Sequence, residues 1–174
     1  IHYFRNVLGE HDFTPLSFSK SGSVLQSPVV FLGYGITAPS DDKNLIYDSF
    51  EGVNVKDKWV VVLRDIPQDL DFKKKVHINT FGLANHKAMI ARKNGARGVL
   101  MVDSLQSKLM KLKFEGSAGD AGIAVINISS DVALRILGIE LNEWKAMLVR
   151  LDKGEMISKE GEALVKKWEE TGLL

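Results

Sequence analysis

The chain has 174 residues, of which 45% are hydrophobic, and a formal net charge of +1. This composition excludes a mainly disordered chain, because it supplies enough apolar side chains for a core and little charge repulsion. The 23 basic residues are balanced by 22 acidic ones, which argues against a nucleic-acid binder. The chain has no cysteine, which excludes disulfides, thiolate catalysis and cysteine-ligated metals.

The sequence also predicts no membrane span. Its longest uncharged apolar stretch, residues 29–39, is about half of the roughly 20 residues that a spanning helix needs. The chain begins at Ile1 rather than at a methionine, so we expect it to be part of a longer protein.

The N-terminal part predicts short strands joined by polar loops. We expect an arm over residues 1–14, then a hairpin over residues 15–27 with Gly22 in its turn. The apolar run 29–34 predicts a buried strand, and the Asn-, Asp- and Ser-rich segment that follows predicts a loop over residues 37–47.

The middle of the chain predicts a βαβ unit. After a short helical turn over residues 47–55, the run 59–63 predicts a core strand, and residues 65–80 predict a second polar loop. The spacing of Ala84, Ala88 and Ala91 predicts a helix over 81–94, and residues 98–102 predict the next strand. Two strands joined by a helix in this way are expected to be parallel.

The C-terminal part predicts a third polar loop, one strand and three helices. Ser129 or Ser130 is expected to cap the first of these helices, which should end at Gly138. The expected bounds are 103–122 for the loop, 123–128 for the strand, and 131–137, 140–150 and 159–171 for the helices.

No spacing of residues predicts a catalytic or metal site. Gly33-Tyr-Gly35-Ile-Thr-Ala38 matches a dinucleotide fingerprint, but Pro39 and polar residues follow where a helix should begin. Ser117 lacks the spacing of a nucleophile elbow. The acidic residues after Pro39 lack the spacing of a calcium loop. The four histidines, which lack zinc-site spacing and the glycine- and threonine-rich flanks of a phosphohistidine carrier, are His2, His11, His77 and His86.

Five sequence blocks carry a resemblance to a known family. They are Pro15-Leu-Ser-Phe-Ser19, residues 29–39, residues 47–64, residues 88–102 and residues 122–129. In order and spacing, these blocks resemble a protease-associated domain of the type inserted in bacterial secreted zinc aminopeptidases. The resemblance covers residues 15–154 and leaves 1–14 as an arm and 155–174 as a C-terminal helix.

The resemblance implies a mixed α/β fold of the swivelling β/β/α type, with a small parallel sheet, a second β layer and flanking helices. It implies a non-catalytic accessory role in substrate access or protein interaction, with the catalytic peptidase domain in cis and a peptide or protein substrate as partners. Zinc would be bound in the parent catalytic domain and no cofactor in this chain, because Glu169-Glu170 lacks the companion His-x-Asp motif. The implied location is extracellular, on the cell surface or periplasmic.

The long loops are the expected interaction surface, because binding residues are concentrated in loops held by a rigid scaffold. Aromatic residues at or near the loop ends are candidate anchors, unless each packs into the core beneath its loop. These residues are Tyr47, Phe72, Phe81 and Phe114. The alternative function is a free-standing protein- or peptide-binding adaptor that is attached to no peptidase.

Overall fold

The β-branched and aliphatic runs of the sequence form the strands of a mixed sheet. The computed structural model describes residues 13–20, 27–103 and 120–156. Its strands are β1 (Phe13–Pro15), β2 (Val29–Phe31), β3 (Thr37–Ala38), β4 (Tyr47–Asp48), β5 (Trp59–Leu63), β6 (Gly98–Val102) and β7 (Ala124–Ile128). Its helices are α1 (Phe72–Asn79), α2 (Ala84–Lys93), α3 (Ser130–Leu137) and α4 (Leu141–Asp152).

The main sheet has five strands in the order β1–β7–β6–β5–β2. Strands β2, β5, β6 and β7 run parallel to one another, and β1 is antiparallel to β7 at one edge. Strands β3 and β4 form a separate two-stranded antiparallel sheet. The predicted mixed α/β fold is therefore confirmed, as is the βαβ unit formed by β5, α2 and β6.

Alternate side chains of the sheet enter two apolar clusters. On β5, Trp59, Val61 and Leu63 belong to one cluster, and Val60 and Val62 belong to the other. The first cluster also contains buried residues of α1, α3 and α4, and the second contains buried alanines of α2. Because successive strand residues point to opposite faces, helices cover both faces of the sheet and bury its central strands.

The helix ends follow the capping residues of the sequence. The Ser129 side chain accepts a hydrogen bond from the backbone N–H of Val132, and Gly138 ends α3 with a positive φ of 59°. Both features agree with the sequence prediction, since a hydroxyl satisfies a free N–H of the first turn and glycine adopts the left-handed conformation without strain.

The sequence expectations for residues 65–80 and 47–55 were wrong. Residues 65–80 were expected to be a loop, but Asp71 starts a helix there by capping α1. The expected helical turn over 47–55 is instead β4 followed by a turn through Gly52. Both segments are polar in sequence. Each is held in place by one buried side chain, Ile78 or Tyr47, which packs against residues distant in the sequence.

Other expectations fall outside the described residues, namely the turn at Gly22, most of the loop 103–122 and the helix 159–171. Strand β1 begins at Phe13, within the expected arm, and ends at Pro15, where the first strand of the expected hairpin should begin. Residues 16–20 form a turn and irregular chain instead of that strand. Across the three described ranges, none of the helices combines the length and apolar character needed to cross a bilayer.

Candidate interaction surface

Helix α1 presents two large apolar side chains to solvent. Its N-terminus is capped by Asp71, whose carboxylate accepts a hydrogen bond of 3.0 Å from the Lys74 backbone N–H. Ile78 is fully buried and fixes one side of the helix on the core. The opposite side carries Phe72, which is 84% exposed, and Val76, which is 54% exposed. Residues four apart lie on one face of a helix, so Phe72 and Val76 form a single apolar strip.

The loop before α1 is tied to the end of α4. Oδ1 of Asp152 accepts hydrogen bonds from the Tyr34 hydroxyl, at 2.5 Å, and from the Gln68 backbone N–H, at 3.1 Å. The Asp152 carbonyl accepts a third, from the Asp69 N–H at 2.9 Å. Burial, together with the hydrogen bond to Asp152, raises the pKa of Tyr34. These contacts hold the loop and therefore orient the exposed face of α1.

A buried lysine lies beneath the same loop. The Lys87 ammonium donates hydrogen bonds to the carbonyls of Leu63, Arg64 and Asp65, at 2.7, 2.8 and 2.6 Å. It also lies 5.8 Å from the centroid of the Tyr34 ring. Burial lowers the pKa of Lys87 to about 7, an effect that Asp65 opposes. Three acceptors match the three hydrogens of an ammonium group, so Lys87 fixes the backbone where β5 ends.

A cleft of about 400 Å³ opens between α1, the end of β5 and the turn before α2. Its lining combines cations, a carboxylate, amides and an exposed leucine: Arg64, Asp65, Gln68, Lys75, Asn79 and Leu83. Leu83 is 63% exposed. Ligands of open α/β sheets commonly bind beyond the carboxyl ends of the strands, which is where this cleft lies.

The first turn of α1 is basic. It contains Lys73 and Lys74 and no acidic residue, although the positive end of a helix dipole favours acids. Lys73 forms an exposed ion pair of 3.1 Å with Asp42. The Asn44 backbone N–H and this lysine lower the pKa of Asp42. The lysines therefore reduce the intrinsic stability of α1 while giving its exposed end a positive charge.

The four aromatic residues selected from the sequence do not form one surface. Phe72 is exposed on α1, but Tyr47 is buried in the core, which corrects the expectation that it could serve as an exposed anchor. Its ring packs there because β4 belongs to the two-stranded sheet over the first apolar cluster. Phe81 is partly buried between the rings of His77 and His86, at 5.3 and 5.6 Å. Phe114 lies outside the described residues.

Sequence reasoning missed Val76 and Leu83. The spacing of Phe72 and Val76, four residues apart, was the available signal, but it has meaning only once this segment is known to be helical. Leu83 was expected inside the helix 81–94, whereas α2 begins at Ala84 and leaves Leu83 in the preceding turn.

The other motifs have local structural roles. Gly33 and Gly35 adopt positive φ angles of 54° and 61° in the turn between β2 and β3. A Cβ atom on Gly35 would overlap the Val62 side chain, so that turn requires glycine. Within the described ranges, no three His, Asp or Glu side chains are grouped closely enough to hold a metal ion.

Comparison with known proteins gives limited similarity. No protein-family model matches the chain, and no curated protein matches it. One similar solved structure is an aminopeptidase from Aneurinibacillus sp. strain AM-1, with 20% sequence identity and a TM-score of 0.42. The match covers 83% of this chain and 26% of that one, so the chain spans about a quarter of the aminopeptidase's length.

Proposed function

We propose that the chain is a non-catalytic protease-associated domain of a secreted or cell-surface zinc aminopeptidase. In this proposal the catalytic domain lies in cis, and the exposed face of α1 contacts a peptide or protein substrate. The sequence blocks that resemble such domains support the family, and the mixed α/β fold is compatible with it. The main support for an interaction role is Phe72, which is 84% exposed.

Exposing this much of an aromatic side chain to water is unfavourable, and contact with a partner would remove that apolar surface from water. Burying it would contribute about 1.5–3 kcal/mol. Val76 and Leu83 add exposed apolar area, and Lys73 and Lys74 give the first turn of α1 its positive charge. Exposed residues that break a local rule of stability, as these lysines do at a helix N-terminus, are expected at functional sites.

The test uses the complete protein encoded by the gene that contains this chain. We expect zinc-dependent release of N-terminal amino acids from peptides. The double variant Phe72→Ser, Val76→Ser should raise KM for long peptides by about tenfold, as expected for an interface anchor. It should leave KM for a single-residue chromogenic amide unchanged, because that substrate is too short to reach α1.

The matched control is Val149→Ser on α4, since Val149 is 57% exposed and Val76 is 54% exposed. This change should alter neither KM. Absence of aminopeptidase activity in the complete protein would contradict the peptidase assignment. Equal effects of the double variant on long and short substrates would contradict the substrate-contact role.

A further inference from the structure

We propose that the cleft beside α1 binds a peptide segment in which a carboxylate side chain adjoins an apolar one. This inference deepens the proposed function and rests on it for the identity of the partner as a peptide. The cleft volume of about 400 Å³ falls within the range of roughly 300–1,000 Å³ that is usual for ligand sites.

The cleft and the exposed strip of α1 are one continuous surface. Lys75 and Asn79 line the cleft, and Phe72 lies three and seven residues before them on the same helix. Residues at these spacings share a helix face. A peptide crossing Phe72 and Val76 would therefore lead directly into the cleft.

The charges around the cleft favour an anionic group. Arg64 is paired with Asp103 at 3.4 Å, and the Asp65 carboxylate interacts with the buried Lys87, which also donates to the Asp65 backbone carbonyl. Lys75 instead donates to neutral acceptors, the backbone carbonyl and side-chain oxygen of Gln68, at 3.1 and 3.0 Å. An ammonium has three hydrogens, so Lys75 retains a donor and a full charge for a ligand carboxylate.

The remaining lining selects a peptide over a free anion. Ile66 and the exposed Leu83 provide apolar contacts next to Lys75. The side-chain amide of Asn79 contains both a donor and an acceptor, which suits the N–H and C=O groups of a peptide backbone, whereas the Gln68 amide is already bonded to Lys75 and to the Ile66 carbonyl. A small inorganic anion would use Lys75 and leave these other groups unoccupied.

The test measures peptide binding to the 174-residue chain by amide chemical shifts, and so needs no peptidase activity. The probes are acetyl-Gly-Glu-Leu-Gly-amide and its counterpart with Gln in place of Glu. We expect saturable shifts within residues 64–83 and about tenfold tighter binding of the Glu peptide, as a charge-assisted hydrogen bond predicts.

Variants with the same charge change separate the cleft from general electrostatic attraction. Lys75→Gln should abolish the preference for Glu. Lys93→Gln should preserve it, because α2 ends at Lys93, near the amino end of β6. The cleft lies at the other end of the parallel strands, beyond the carboxyl end of β5. Equal affinity for both peptides, shifts outside residues 64–83, or no saturable shifts would overturn this inference. Such results would leave the peptidase assay of the complete protein as an independent test of the proposed function.

Discussion

The indole ring of Trp59 fills the space above Gly98, its directly paired neighbour on the adjacent parallel strand. A Cβ atom at position 98 would lie far inside the van der Waals distance of this ring. Trp59 is 5% exposed, so the ring has little room to move away. The absence of a side chain at position 98 therefore allows a tryptophan to pack at the start of the central strands.

The first prediction is that Gly98→Ala destabilises the fold. The added methyl group forces the indole from its position, and such overpacking lowers the free energy of unfolding by about 1–3 kcal/mol. Chemical denaturation followed by tryptophan fluorescence measures the change. In a Trp59→Leu background the same substitution should cost less, because the clashing ring is gone. An equal cost in both backgrounds would show that the ring is not the cause.

The second prediction concerns the pH dependence of Lys87. Burial lowers the pKa of this lysine to about 7 in the folded state, whereas an unfolded lysine keeps a pKa of about 10.4. Between these values the unfolded chain binds the extra proton, so folding stability rises with pH, by at most about 1.4 kcal/mol per unit. Below about pH 7 both states are protonated and this contribution no longer changes.

The measurement compares the wild type with Lys87→Met by urea denaturation from pH 6 to pH 10. The difference in unfolding free energy should shift in favour of the wild type as pH rises above about 7, because methionine does not titrate. A difference that stays flat to pH 10 would show that the carbonyls of Leu63, Arg64 and Asp65 keep the ammonium charged.

The third prediction assigns Asp152 to the positioning of α1. Asp152→Ala removes the acceptor for both the Tyr34 hydroxyl and the Gln68 N–H. We expect faster amide hydrogen exchange over residues 68–79, with slow exchange preserved in β5 and β6, because local opening does not require global unfolding. Asp152→Asn keeps an oxygen acceptor and should have a smaller effect. Uniformly faster exchange across the sheet would indicate a global role instead.

The central strands and helix α2 were predictable because each has a clear local pattern. The run Trp59–Leu63 is apolar throughout, which marks a strand covered on both faces, and β5 has these bounds. Ala88 and Ala91 mark the buried side of α2 as expected. In such segments the local periodicity and the tertiary burial agree, so the sequence alone determines the element.

The interaction surface was only partly predictable. Phe72 was selected from the sequence, but α1 was not, since three consecutive lysines at its start dominate the local composition. What makes this segment helical is the burial of Ile78 and the attachment of the preceding loop to Asp152. Asp152 is distant in sequence from that loop, so no local pattern could reveal the contact.

The final prediction tests whether the basic first turn of α1 opposes its stability. Lys74 is the third helical residue after the Asp71 cap, the position that a Glu occupies in a capping box. Lys74→Glu should raise the free energy of unfolding by about 0.3–1 kcal/mol, since it replaces an unfavourable charge at the positive helix end. Lys74→Gln should give a smaller gain, because it removes the charge without reversing it. Thermal and urea denaturation at low salt measure both changes, and high salt should reduce them through screening.

A loss of stability in Lys74→Glu would show that Lys74 makes a stabilising contact that outweighs the helix dipole. A gain would mean that this lysine is kept at a cost to the fold, as expected if its charge serves a partner.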